Sequence, residues 1–138
     1  MSSEIDHFLL NQIKRHEGFR KHVYQCTAGY NTIGIGRNLD SVGITENEAE
    51  YLLNNDLQEA VKMARSLNCY KKLSRRRKQV LINMIFNIGL PRLKGFKKFL
   101  KALDDEDYPL AAFEMLDSKW ATQVGNRAIE LSEQMKEG

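Results

Sequence analysis

Apolar residues recur along most of this chain at the three-to-four-residue interval of a helix with one buried face, and a single short stretch breaks that rhythm. Ile5, Phe8, Leu9 and Ile13 mark a first helix, which Gly18 stops just after Glu17. Between His22 and Gly36 the pattern gives way to the β-prone residues Val23, Tyr24, Tyr30, Thr32, Ile33 and Ile35, set on either side of an Ala28-Gly29 pair, which predicts a hairpin. Gly34, Gly36, Asn38, Asp40, Ser41 and Gly43 are turn formers and predict the end of the small sheet. No later stretch carries a strand signal.

From Thr45 the helical spacing returns. Thr45 and Glu48 stand at the separation that lets a hydroxyl and a carboxylate satisfy each other's exposed helix-end N–H groups. Ala49, Leu52, Leu53, Leu57, Ala60, Val61 and Ala64 then line one face of a long helix. A second long helix starts near Ser74, is apolar nearly all round, and ends at Gly89 and Pro91, as expected at the centre of a helical lobe. Further helices are predicted over Leu93–Leu103, Asp107–Leu116 and Asn126–Met135. The order of elements predicts an α+β fold in one domain over residues 1–138, with a β-rich lobe at 18–43, helical parts at 1–17 and 44–138, and a cleft between the lobes.

Composition narrows the class. With 138 residues, 42% apolar, the chain can bury a core without a disulfide or metal staple, so Cys26 and Cys69 read as free thiols. The N-terminal segment lacks the basic-then-apolar order of an export signal. The longest apolar run, Val80–Leu90, is interrupted by Asn83 and Asn87 and falls short of the roughly 20 residues that span a bilayer. A cytoplasmic chain without stable membrane insertion is therefore expected. A net charge of +3 suits an anionic polymer as partner, nucleic acid or cell wall, without choosing between them.

Three side chains carry candidate chemistry. Glu17 ends the first helix, where the negative end of the helix dipole and partial burial would raise its proton affinity and suit it to general acid work. Cys26 and Thr32 flank the hairpin turn and fall on one face if the strands are regular, so a thiol and a hydroxyl can hold a water between them. Taken singly, each has an ordinary structural explanation: a solvated helix-end acid, a small buried hydrophobe, a common strand residue. Lys71, Lys72, Arg75, Arg76, Arg77 and Lys78 form a basic run, but no aromatic residue is interleaved to stack on bases, and a solvated face is the plainer reading. Asp104–Asp107 reads as a solvated connector with Asp107 as a helix cap. His7, His16 and His22 do not cluster with Cys or carboxylates at a metal-binding spacing, so neither metal nor other cofactor is expected.

The segment Glu17-Gly18-Phe19-Arg20 followed by Val23 to Gly36 closely resembles the catalytic segment of the phage-type lysozymes, whose signature is a Glu, eight residues, an Asp or Cys, five residues and a Thr. Glu17, Cys26 and Thr32 fit it. The resemblance continues in Gly43-Ile44-Thr45, in Leu81–Asn87, in Gly95-Phe96, in Ser118-Lys119-Trp120 and in Asn126-Arg127, so it spans nearly the whole chain.

The resemblance implies a lysozyme-like fold and a muramidase that hydrolyses the β-1,4 bond between N-acetylmuramic acid and N-acetylglucosamine in peptidoglycan. It implies that Glu17 protonates the leaving oxygen, and that Cys26 takes the place of a second carboxylate. Two courses stay open for Cys26: activation of a water together with Thr32, or attack by its thiolate through a covalent intermediate. Arg37 is a candidate for stabilising that thiolate. The resemblance further implies that Arg127 faces Glu17 and supports it, and that Asn38, Phe86, Phe99 and Glu114 lie where substrate binds. Between Asn38 and Thr45 the chain is shorter than the T-even phage members and lacks a small covering helix, which implies a more open cleft. The implied setting is a monomeric endolysin that waits in the host cytoplasm, depends on a holin to reach the glycan strands, and binds no nucleic acid. The alternatives are a catalytically silent peptidoglycan- or nucleic-acid-binding domain on the same scaffold, and a tail-associated or effector lysozyme.

Overall fold

The computed structural model describes residues 2–138; Met1, at the head of the segment read for an export signal, lies outside them. The elements are α1 (His7–Glu17), β1 (Arg20–Gln25), β2 (Asn31–Gly34), β3 (Arg37–Asn38), α2 (Glu46–Arg65), a 3-10 turn (Tyr70–Lys72), α3 (Arg75–Ile88), α4 (Leu90–Lys94), α5 (Lys97–Asp104), α6 (Tyr108–Leu116), α7 (Lys119–Val124) and α8 (Asn126–Glu137). This is the expected α+β composition: among the described residues, eight helices and one small antiparallel sheet of order β1-β2-β3. The chain forms two compact units, one through Tyr51 and one from Leu52, with the boundary inside α2. Among the described residues no helix is long and apolar enough to cross a membrane.

In the first unit, Asp6 accepts a hydrogen bond from the Leu9 N–H (3.0 Å) and so caps α1, which leaves Ile5 outside the helix it was expected to join. Gly18 ends α1 with φ 69°, and its N–H reaches Lys14 O at 2.8 Å. Few residues besides glycine adopt that backbone conformation without strain. The hairpin is in register Tyr24↔Thr32 and Gln25↔Asn31, with an irregularity in β1 between Arg20 and Tyr24. Its turn closes through Gly29 N–H to Cys26 O (2.8 Å) and Cys26 N–H to Tyr30 O (2.9 Å).

The sheet does not end after β2 as expected. A third strand, β3, pairs Asn38 with Thr32 and Arg37 with Ile33. Two residues are too few to show alternation, and the flanking glycines mask them as a turn. Beyond β3 no helix forms before α2, in keeping with the shortened segment. Thr45 and Glu48 cap α2 reciprocally, Thr45 N–H to Glu48 Oε1 at 2.9 Å and Glu48 N–H to Thr45 Oγ1 at 3.1 Å. Thr32 is buried, and no other described residue of this unit is.

The second unit holds the apolar core, built from Val80, Leu81, Met84, Leu93, Phe99, Leu103, Met115, Trp120, Leu131 and Met135 among others. Ser74 caps α3 by accepting from Arg77 N–H (3.2 Å). The helix buries Val80, Leu81, Met84 and Ile85, one face rather than the whole circumference expected, and Phe86 is exposed. The stripe on α2 is likewise buried only at Ala60 and Ala64, while Leu52 and Leu53 stay exposed. The single helix predicted over Leu93–Leu103 is two, broken at Gly95-Phe96, and Pro91 lies in the first turn of α4, where its missing N–H costs nothing. Helix α7, which hydrophobic spacing alone did not reveal, is capped by Ser118, accepting from Ala121 N–H at 3.1 Å. Its Trp120 anchors the core, donating its indole N–H to Asn87 Oδ1 at 2.7 Å.

The basic run is divided between tasks. Arg77 donates to the carbonyls of Met135 (2.7 Å) and Lys136 (3.0 Å) and stacks over Tyr108 at 3.6 Å, closing the end of α8. Lys72 donates to Asp104 O, and Lys78 lies over the Tyr70 ring at 5.0 Å.

Candidate active site

The first unit brings the acid to the sheet. Glu17 is the last residue of α1, and its side chain lies along the backbone that links β2 to β3. A Cβ placed on Gly36 would stand 2.7 Å from Glu17 Oε2 and 2.9 Å from its Cδ. The expectation of partial burial is not met: Glu17 is exposed, because α1 presents its last turn outward. Among the described residues of its own unit the carboxyl makes no hydrogen bond, and it lies packed against Gly36.

Cys26 and Thr32 lie on one face of the hairpin, as their spacing predicts. Cys26 stands opposite Tyr30 and Thr32 opposite Tyr24, which makes them diagonal neighbours rather than a facing pair. Thr32 is buried, and its hydroxyl donates to Tyr30 O at 2.9 Å. Its lone pairs remain free to receive a proton donor. Cys26 is partly buried at the first position of the turn. The backbone N–H of Tyr30 and then that of Ala28 draw its thiol below the ordinary range, against the cost of desolvation, and the Gly29 N–H adds the least. A thiolate there meets the same N–H groups that an aspartate would meet at the head of an Asx turn.

Arg37 does not serve the thiol. Its guanidinium grips Glu48 with Nη1 to Oε1 at 2.9 Å and Nη2 to Oε2 at 2.5 Å, and Nη1 donates to Gly43 O at 3.0 Å. The forked geometry of a carboxylate outcompetes a thiol further along the sheet. Glu48 is held down to about 2 by this pairing, by the Thr45 N–H next, and by the Thr45 hydroxyl to a smaller degree. The clamp ties the end of β3 to the start of α2. Asn38, in β3, accepts from Ser41 N–H at 3.0 Å and is partly buried.

The remaining expected residues belong to the second unit. Arg127, in the first turn of α8, donates to Asn83 Oδ1 from Nε (3.0 Å) and Nη2 (2.7 Å). These two and Phe86 line a cavity of about 360 Å³ with Leu53, Leu57 and Ile82. Glu114 and Phe99 border a different cavity, of about 440 Å³, with Phe96, Lys97, Ser118 and Trp120. Phe99 is buried to 1% exposure and stacks edge-on with Phe96, so it forms the floor of that cavity. Among the described residues no three His, Cys, Asp or Glu side chains come together to hold a metal.

Sequence reasoning assigned no task to Gly36 or Asn83. An asparagine in the middle of an apolar helix is the signal that could have found Asn83, since a polar group half-buried there needs a partner. Gly36 is marked only by its φ of 72°, a backbone fact.

The phage lysozyme family model matches residues 14–136, a span that holds Glu17, Cys26 and Thr32. A probable T4-type lysozyme of Dictyostelium discoideum is 33% identical, over 86% of this chain and 87% of its own. An endolysin of Acyrthosiphon pisum secondary endosymbiont phage 1 is 34% identical, over 79% of this chain and 74% of its own. The pre-baseplate central spike protein of Enterobacteria phage T4 is 28% identical over 90% of this chain, which corresponds to 27% of that protein.

Proposed function

The chain belongs to the phage lysozyme family of glycoside hydrolases, and on that premise we propose that it is a muramidase acting as an endolysin, which cleaves the β-1,4 bond between N-acetylmuramic acid and N-acetylglucosamine in peptidoglycan. The observation that carries the reading is the presence, in one compact unit, of an acid at the tip of α1 seated against Gly36 and of a hairpin whose one face bears Cys26 and Thr32.

In this reading the Glu17 carboxyl gives its proton to the leaving glycosidic oxygen as the bond to the anomeric carbon breaks. A water bonds to that carbon from the opposite face and passes its proton to the Cys26 thiolate, while the Thr32 oxygen accepts its second hydrogen. Products then form with inverted configuration. The backbone N–H groups that draw the Cys26 thiol downward favour its use as a base. On the family resemblance we assign Arg127, held by Asn83, a supporting role in catalysis, and Phe86, Asn38, Glu114 and the floor residue Phe99 roles in glycan binding. The same reading has the enzyme reach the wall after a holin opens the inner membrane.

Loss of turbidity of permeabilised Gram-negative cells tests the reading. Glu17→Gln should lower the rate by ~10²-fold or more at unchanged thermal stability. A variant as active as the parent ends the acid assignment. Retention on purified peptidoglycan with no release of reducing sugar selects the catalytically silent binding domain.

A second setting has a specific observation in its favour. The chain aligns over 90% of its length with a part of the pre-baseplate central spike protein. A tail-associated lysozyme would co-purify with virions, whereas an endolysin would be absent from them.

A further inference from the structure

Seven glycines have positive φ, and they are not equivalent. At Gly18, Gly29, Gly34, Gly43 and Gly125 an added Cβ meets nothing within 4 Å, so glycine is required there by the backbone alone. At Gly89 the nearest atom is 3.7 Å away, an ordinary contact. Gly36 differs from all of these. A Cβ there would lie 2.7 Å from Glu17 Oε2, 2.9 Å from Cδ and 3.1 Å from Cγ, and those three atoms are its nearest neighbours.

We propose that Gly36 is a positioning residue for the general acid: its bare Cα is the surface against which the Glu17 carboxyl is seated, and any side chain at 36 displaces the acid from its working position. The inference rests on the muramidase reading for what the displacement costs, and on geometry alone for the displacement itself. Glu17 is exposed and makes no hydrogen bond among the described residues of its unit, so packing against residue 36 is what restrains its rotamers there. The carboxyl and a Cβ cannot share the space, and the flexible partner is the one that moves. For a proton donor an error of about 1 Å can cost on the order of 100-fold in rate, because transfer depends steeply on reach and angle.

Gly34 supplies a matched control. Its φ of 71° is nearly that of Gly36, one residue pair away on the same segment, and its surroundings are open. Gly34→Ala therefore imposes the backbone strain without the crowding. Both alanine variants should lose thermal stability to a similar extent. On soluble uncross-linked glycan strands Gly36→Ala should lower kcat by roughly 30- to 100-fold with KM within about twofold, while Gly34→Ala keeps kcat within about threefold. Equal kcat for the two variants overturns the proposal. Gly36→Asn, whose side chain tolerates positive φ while keeping the Cβ, guards against misfolding. It should stay slow when folded, and recovery of parental kcat in it also overturns the proposal. The Glu17 side-chain carboxyl carbon resonance gives a readout independent of turnover, expected to move in Gly36→Ala and to stay in place in Gly34→Ala. An inactive parent in which that resonance behaves as expected would overturn the muramidase reading and leave the seating intact, and an unmoved resonance in Gly36→Ala overturns the seating.

Discussion

Arg37 and Glu48 form a two-pronged ion pair, 2.9 and 2.5 Å, between the last strand and the first turn of the long helix. With Glu48 held down to about 2 by Arg37, from an ordinary value of 4.5, its ionised form is favoured by folding. The sign follows: the contribution is complete above pH 4.5 and drains away as pH falls toward 2. The pair is part-exposed, so solvent screens it and the effect is modest. Melting temperatures of the parent and Glu48→Gln should differ most at neutral pH and converge near pH 2; parallel curves over the whole range would contradict this.

The two thiols should separate on reactivity. Cys26 is partly exposed and drawn below the usual range by the Tyr30 and Ala28 amides, whereas Cys69 is buried and pushed up by desolvation and then by the Asp104 charge. Iodoacetamide at neutral pH should label Cys26 at least about tenfold faster, with a rate that levels off at a lower pH than for a free thiol. Peptide mapping reads the order, and early labelling of Cys69 in the folded protein would reverse it.

Stereochemistry decides between the two courses for Cys26. Serine keeps a hydrogen-bonding group but is a far weaker nucleophile than a thiolate. Cys26→Ser should retain inversion of the anomeric centre, seen by NMR of the first product, at a rate lowered by ~10-fold or more. Retention in the parent would assign the thiolate as nucleophile.

Asn87 caps the indole of a buried tryptophan, and truncating it leaves that N–H unpaired. Asn87→Ala should cost about 1–3 kcal/mol in chemical denaturation, with no change in activity per folded molecule. An unchanged denaturation midpoint would mean that solvent takes over the bond.

The basic run should split on mutation. Arg77→Ala removes two hydrogen bonds to the end of α8 and a stack on Tyr108, and should cost about 2–3 kcal/mol. Lys71→Ala, on an exposed side chain, should fall within about 0.5 kcal/mol of the parent. Equal losses at both positions would show that the run acts as a single charged patch.

Much of this was legible from residue order. The caps at Ser74, Thr45, Asp107 and Gly18 lie where hydroxyls, carboxylates and glycine place them, because capping is a local interaction between near neighbours in sequence. The shared face of Cys26 and Thr32 follows from the two-residue period of a strand. What stayed hidden depends on contacts distant in sequence. The pairing of β3 is set by hydrogen bonds to β2 rather than by its own residues, and Arg37 finds its partner eleven residues away in Glu48, whose local pattern marks only a helix cap. The break at Gly95-Phe96 escaped notice because the apolar spacing continues across it.

Among the described residues, buried apolar side chains are confined to the second unit, while the first is held by its β ladder, its caps and the Arg37 clamp. Hydrogen bonds and ion pairs near water open far more readily than a packed interior, so amide protons of residues 20–38 should exchange with deuterium sooner than those of α3. The segment bearing the acid and the thiol is thus the first to loosen on warming, and bacteriolytic power should fade several degrees before helical circular dichroism does.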